Sequence, residues 1–292
     1  MSKKIVILGV SGTLGHVLFD YFQSSFDVYG LTRDKTGLPF EQDERVYSCG
    51  SAQEISNWES RLKEIRPDVI INAVGIIKQK KSYGDSEQIY INSYFPHKLS
   101  EVADRLNSRF IHISTDCIFD GVKGAYDESD STYATDIYGK SKLMGEVIKA
   151  PHLTIRTSII GHELTSQTSL LEWFLSQESN IKGYYKAYFS GFPTISLAKI
   201  IDEYFLDRKY TGLYHVSSSR TSKFSLLQLI KKVYKKEIDI TKSEELSIDR
   251  SLCCDKFKNE SGFSPLTWQE YLEEMRKHFI NCEYYKGRNE TI

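Results

Sequence analysis

The sequence predicts a doubly wound α/β fold around a parallel sheet, and three observations carry that prediction. Through the first third of the chain, apolar runs of strand length alternate with segments of helical periodicity. The runs are mostly apolar on both faces, as strands covered by helices on either side must be. A glycine turn, Gly9-Val10-Ser11-Gly12-Thr13-Leu14-Gly15, joins the first run to the first helical segment.

Taken in order, residues 4–8 read as a buried strand and 14–22 as an amphipathic helix. A strand over 26–31 and a helix over 55–65 follow, then a strand over 69–72 behind the turn Arg66-Pro67-Asp68. One long helix, 86–106, leads to a strand over 110–114. A loop rich in acidic and small residues, 124–136, precedes a helix over 137–149 and a strand over 153–157. Beyond Gly161 the alternation loosens. A short helix falls at 168–176, an aromatic, glycine-punctuated stretch at 183–193, and a helix at 195–205. Residues 212–216 read as a strand that returns to the sheet, and 226–234 and 268–279 as helices. The polar stretch 283–292 is expected to fray.

A chain of 292 residues can bury roughly three quarters of its unfolded surface, so one large domain, or one with a smaller lobe, is expected. Thirty-eight basic against 39 acidic residues leave a formal charge of −1, with no global field to draw in nucleic acid or an anionic membrane. No apolar run approaches the ~18 residues of a membrane span. The apolar opening Ile5-Val6-Ile7-Leu8 is strand-sized and runs into glycines, unlike a signal peptide. Five scattered cysteines (Cys49, Cys117, Cys253, Cys254, Cys282) suggest neither a disulfide framework nor a zinc site, and no metal is expected. The reducing cytoplasm is the expected compartment.

Glycines three apart between a strand and a helix let the backbone turn tightly and approach a pyrophosphate, with the helix N-terminus supplying amides and a positive dipole end. Gly9, Ser11, Gly12, Thr13, Leu14 and Gly15 are therefore candidate dinucleotide contacts, although the spacing G-x-x-G-x-x-G also suits a plain βα turn. The second strand ends Gly30-Leu31-Thr32-Arg33-Asp34, with Arg33 ahead of any acidic residue. A guanidinium there favours the 2′-phosphate of NADP(H) over the free ribose of NAD(H). Two solvated loop charges are the plainer alternative.

Tyr138 and Lys142 are four apart in Tyr138-Gly139-Lys140-Ser141-Lys142, so on a helix they share a face. A neighbouring ammonium is expected to lower the phenol's pKa and make it a better proton donor to a carbonyl oxygen. Thr115 ends the strand Phe110-Ile111-His112-Ile113-Ser114, at the carboxyl edge where such sheets bind ligands. Its hydroxyl is placed to bond the same oxygen, though Ser114 and Thr115 also suit simple backbone satisfaction at a strand end.

At these residues the sequence resembles the extended short-chain dehydrogenase/reductases and, within them, the dTDP-4-dehydrorhamnose reductase family. The match covers most of the chain. It takes in the turn from Gly9 to Gly15, Asn72-Ala73-Val74-Gly75, Asn92, and Ser114-Thr115-Asp116-Cys117-Ile118-Phe119-Asp120-Gly121. It continues through Tyr126-Asp127-Glu128, the Tyr138 to Lys142 motif, Ile155-Arg156-Thr157-Ser158, Gly191-Phe192-Pro193-Thr194 and Gly212-Leu213-Tyr214-His215-Val216. The resemblance implies an NADP(H)-binding domain over 1–160 and 192–219 and a sugar-nucleotide lobe over 161–191 and 220–292. It implies reduction of the 4-keto group of a nucleotide-linked 6-deoxy sugar in surface polysaccharide synthesis. Tyr138 would donate the proton, Lys142 would hold the nicotinamide ribose, and Thr115 would polarise the keto oxygen. Ala73, Val74 and Gly75 would line the cofactor, and Asp116, Cys117, Phe119, Arg156 and Pro193 the substrate. The implied partner is a small nucleotide sugar, with a homodimer left open.

Two departures stand out. Cys117 occupies a position usually held by tyrosine, and related epimerase-reductases use a cysteine at this spacing with a histidine partner, for which His162 is the candidate here. A small apolar filler is the alternative for Cys117. The block Arg250-Ser251-Leu252-Cys253-Cys254 only partly matches the family's, which leaves a UDP-linked N-acetyl sugar open as substrate. A 4,6-dehydratase is excluded, because Cys117 stands where its glutamate would be. A non-catalytic NADP-binding regulatory subunit is the alternative from another class.

Overall fold

Lys4–Leu8 forms strand β1, buried from Ile5 to Leu8, and its alternate side chains feed two apolar layers. Ile5 and Ile7 join the layer containing Val17 and Phe19, whereas Val6 and Leu8 join the layer containing Leu62 and Leu99. A strand with no polar face belongs inside a sheet covered on both sides. The computed structural model, which describes residues 2–78 and 83–288, has it there.

After β1 come α1 (Gly15–Phe22), β2 (Asp27–Thr32), β3 (Val46–Ser48), α2 (Ile55–Ile65), β4 (Val69–Asn72), α3 (Asp85–Ile89), α4 (Phe95–Leu106), β5 (Arg109–Thr115), α5 (Ile137–Met144) and β6 (Leu153–Thr157). The second half adds β7 (Ile159–Ile160), α6 (Leu170–Leu175), β8 (Ile181–Phe189), β9 (Phe192–Pro193), α7 (Thr194–Ile200) and β10 (Gly212–His215). It closes with β11 (Thr221–Ser222), α8 (Lys223–Tyr234), β12 (Ile240–Asp249), α9 (Asp255–Ser261) and α10 (Trp268–Asn281). Seven parallel strands build the main sheet in the order β10-β6-β5-β4-β1-β2-β3. Chain order reverses at β1, with β2 and β3 on one side and β4 on the other, which opens a crevice at their carboxyl ends. The doubly wound α/β fold is therefore present, with residues 212–215 returned to the sheet as expected, at its edge. A second sheet, β11-β8-β12, and the pair β7-β9 complete the strands.

Several elements differ from expectation for local reasons. The long helix is interrupted by a π-helical turn, Tyr90–Tyr94, just before Pro96. Proline has no amide to offer the carbonyl four residues back, here that of Asn92. The helix expected over 137–149 stops at Met144. Thr154 draws the next segment onto β6, accepting from the Val147 amide at 3.0 Å and donating to its carbonyl at 2.8 Å. The stretch 283–288 does not fray: Glu283–Tyr285 is a 3₁₀ turn with Tyr285 buried. Residues 289–292 of that expectation lie outside the described residues. No helix among the described residues is long and apolar enough to cross a membrane.

Candidate functional site

The glycine turn leaves no room for side chains. Gly9 has φ of +85°, and its carbonyl accepts from the Gly12 amide at 2.9 Å. A Cβ on Gly15 would lie 2.0 Å from that same carbonyl, and one on Gly9 would lie 3.1 Å from the Val74 amide nitrogen. The turn is thus pressed against residues 73–75, which follow β4, and α1 begins directly behind it. A bare backbone cradle in front of a helix N-terminus fits a pyrophosphate.

The second strand's end meets the same turn, since Thr32 donates to the Ser11 hydroxyl at 2.8 Å. Arg33 beyond it is exposed, donating to the Tyr83 hydroxyl with its guanidinium 6.0 Å from that ring's centre. Asp34 is taken up by its own turn, accepting from the Thr36 amide at 3.0 Å and its hydroxyl at 2.7 Å. Those bonds hold the Asp34 carboxyl below its ordinary value. The cation stands at the rim while its acidic neighbour is occupied.

Asp136 caps α5 by accepting from the Gly139 amide at 2.8 Å, and Lys78 pairs with the same carboxylate at 2.8 Å. A Cβ on Gly139 would lie 2.2 Å from the Cys117 carbonyl, so α5 rests on the turn that follows Thr115. This contact brings Tyr138 to Thr115, whose side chain favours the ionised phenol. Lys142, one turn on, is buried and donates to the Ile113 carbonyl at 2.7 Å, 3.5 Å from His112 Nε2. A Cβ on Gly75 would lie 3.8 Å from the Lys142 ammonium, so this group also borders the loop after β4. Thr115, Tyr138, Lys142 and residues 73–75 thus share one end of the sheet with the glycine turn.

The electrostatics correct one expectation. Burial pushes the Tyr138 phenol up, Cys117 adds to the rise, and the Thr115 side chain opposes it. Lys142 does not lower the phenol; burial brings its own ammonium down to about 8, against the pull of Glu146. The amine bonds a β5 carbonyl, and exclusion of water dominates the phenol.

The residues expected against a substrate divide. Burial raises the Asp116 carboxyl, against the pull of the nearby Ser158 side chain, and lifts the Cys117 thiol to about 12. The guanidinium of Arg250 reaches the Cys117 sulfur at 3.8 Å and the Phe119 carbonyl at 2.7 Å. Arg156, Phe119 and Pro193 are already taken up by the fold. Arg156 is clamped by Glu146 through two hydrogen bonds of 2.8 Å, with His215 at 3.2 Å. Phe119 is fully buried and stacked on Tyr126 at 4.2 Å between ring centres. Pro193 is buried in β9 opposite Ile160. His162 is not a partner of Cys117. It bonds Glu172 at 2.9 Å and Tyr234 at 2.8 Å and stacks on Phe279.

Sequence reasoning gave no role to Asn92, whose buried amide ties the site together. It accepts from the Ile76 amide at 2.9 Å and donates to the Ile76 carbonyl at 3.0 Å and the Ser141 hydroxyl at 3.1 Å. The signal was Pro96 four residues later, which frees the Asn92 carbonyl for Gly145 to pack on. Cysteine spacing likewise could not show that Asp20, His278 and Cys282 bring three metal-capable donor atoms within 4.8 Å of one another. Asp20 comes from α1, at the other end of the chain.

A doubly wound parallel sheet with a glycine turn at its reversal point is the fold of the short-chain dehydrogenase/reductases. Within that class the chain belongs to the family described as the RmlD substrate binding domain, whose model matches residues 3–281. It is 29% identical over 161 residues to a dTDP-4-dehydrorhamnose reductase of Aggregatibacter actinomycetemcomitans, covering 53% of this chain and 51% of that one. It is 26% identical over 225 residues to the spore coat polysaccharide biosynthesis protein SpsK of Bacillus subtilis, covering 74% of each. The alignments to the Aggregatibacter protein and to its Burkholderia thailandensis counterpart span only 51% and 49% of those relatives' lengths. In fold it resembles the dTDP-4-dehydrorhamnose reductase of Bacillus anthracis solved in complex with NADP. The TM-score is 0.79 at 20% identity, over 97% of this chain and 99% of that one. A hypothetical dTDP-4-dehydrorhamnose reductase of Sulfolobus tokodaii gives a TM-score of 0.77 at 26% identity, over 91% and 98% of the two chains.

Proposed function

We propose that the chain is a cytoplasmic, NADPH-dependent reductase of the 4-keto group of a nucleotide-linked 6-deoxy sugar, serving surface polysaccharide synthesis. The observation that carries this reading is the seating of α5, which joins Tyr138 to Thr115 and sets Lys142 beside Gly75. The names and activities of the relatives support it, as does the glycine cradle. In this reading residues 1–160 and 192–219 hold the cofactor, and 161–191 and 220–292 hold the sugar nucleotide.

Amides of the glycine turn at the start of α1 would hold the pyrophosphate, Arg33 would pair with the 2′-phosphate, and residues 73–75 would line the cofactor through their backbone. When bound, NADPH supplies the hydride. Lys142 keeps the nicotinamide ribose in place. Thr115 donates to the keto oxygen and polarises it, and Tyr138 delivers the proton to that oxygen. The raised phenol suits this direction, because at neutral pH it holds the proton that reduction consumes. Asp116, Cys117 and Arg250 are the groups placed to meet the sugar and its diphosphate.

The test is NADPH oxidation on dTDP-, UDP- and GDP-linked 4-keto sugars, with wild type beside Tyr138→Phe. Turnover on one of them, lost in the variant, is the expected result. Tight NADPH binding with no turnover on any, and co-purification with a larger enzyme, would instead identify a regulatory subunit.

A further inference from the structure

Helix α1 presents His16 and Asp20 one turn apart on a single face, and residues from the far end of the chain take both. His278 Nε2 bonds the Asp20 carboxylate at 3.0 Å, and the Tyr285 hydroxyl meets His16 Nε2. The other ring nitrogen, His16 Nδ1, lies 2.7 Å from the carbonyl of Gly12.

The chemistry orients this relay. A carbonyl oxygen only accepts, so His16 Nδ1 carries a proton. Burial brings the imidazole down to about 4, so the ring is neutral at physiological pH and Nε2 is bare. Tyr285 is therefore the donor to Nε2. Donation runs from the Tyr285 hydroxyl to His16, and from His16 to the middle glycine of the turn.

The C-terminal end of the relay is itself anchored. Tyr285 is buried, with its ring centre 4.8 Å from that of Phe279. Arg288 donates to the Glu172 carboxylate at 2.8 Å. The ring of Tyr284 packs edge-on against Phe40, in the loop after β2, at 5.5 Å. The segment 282–288 thus touches His16, directly behind the glycine turn, and Phe40, in the loop that follows Arg33.

We propose that residues 282–288 form a strap that positions the dinucleotide turn through His16, with Tyr285 as the positioning residue. The proposal rests on reading residues 9–15 as that turn. It accounts for a tyrosine hydroxyl and an imidazole sealed in the core with no substrate to serve.

The experiment is a cycle of Tyr285→Phe, His16→Phe and the double variant, each of which keeps a ring in place. NADPH affinity is measured by fluorescence titration, and kcat at saturating NADPH. Tyr285→Phe should weaken NADPH binding about tenfold, the worth of one buried hydrogen bond, with kcat unchanged. The double variant should bind no worse than His16→Phe alone, because Tyr285 acts through His16. Additive losses, or wild-type affinity in Tyr285→Phe, would overturn the proposal. Amide hydrogen exchange over residues 9–16 gives a readout that needs no cofactor. Faster exchange in Tyr285→Phe supports the strap and unchanged exchange refutes it, even if wild type fails to bind NADPH and the dinucleotide reading falls.

Discussion

Gly139 lies against Cys117 so closely that a β-carbon on it would stand 2.2 Å from the Cys117 carbonyl oxygen. The oxygen lies two residues beyond Thr115, and Gly139 directly follows Tyr138, so this contact bears on the approach of the two side chains. Gly139→Ala must push α5 off the turn. Displacing a reacting group by about 1 Å costs on the order of a hundredfold in turnover. The expected outcome is that loss in kcat with NADPH affinity retained. Wild-type kcat in the variant would show that the contact does not govern the site.

Tyr138→Phe removes the proton donor and leaves the ring that fills its niche. A positioned general acid contributes about 10²–10⁴-fold, so kcat for keto-sugar reduction should fall by that factor while NADPH affinity stays. Because burial holds the phenol above its ordinary value, wild-type turnover should show no loss from phenol ionisation below pH 10. Such a loss would mean that water reaches the hydroxyl.

What the sequence disclosed follows the physics of burial. β1, α2, β4 and β6 lie at the expected residues, because strands and helices packed into the main sheet carry continuous or periodic apolar patterns. β12 was invisible: its residues Thr241, Lys242, Glu244, Glu245 and Ser247 are polar, and it pairs with β8 in the second sheet. The site divides the same way. Tyr138, Lys142 and Thr115 were legible because spacing along one helix and the end of one strand are local facts. Arg156 reads differently for the opposite reason. An arginine at a strand's carboxyl end looks like a ligand, and only the tertiary fold reveals Glu146 and His215 around it.

Lys142 makes the fold sensitive to alkaline pH in a definite direction. Its folded value, about 8, lies below the ordinary lysine value of 10.5. Between those limits the unfolded chain binds the extra proton, so this group's contribution to stability rises with pH. From pH 8 to 9, the denaturation free energy of wild type relative to Lys142→Met should grow by about 1 kcal/mol. A flat difference over that window would show that the ammonium remains solvated.

Arg33 stands at the rim beyond β2 while Asp34 is bound by Thr36. With the Asp34 carboxylate turned to Thr36, the preference between cofactors falls on the guanidinium. Arg33→Ser should weaken NADPH binding about tenfold to a hundredfold, the range for a hydrogen bond to a charged group, and leave NADH binding unchanged. Equal losses for both cofactors would remove Arg33 from the 2′-phosphate.

Arg156 and Glu146 form a bidentate pair with each side chain only 5% exposed, and Ser114 adds a hydrogen bond of 2.7 Å to the same carboxylate. Truncating one partner strands the other as a buried charge, which costs about 3–5 kcal/mol. Arg156→Met should therefore lower stability by that amount in chemical denaturation. The double replacement Arg156→Met with Glu146→Leu should recover much of it, since no charge is then left buried. A substrate-binding arginine would behave in the reverse way, with stability kept and KM for the sugar nucleotide raised. A variant of that second kind would return Arg156 to the substrate.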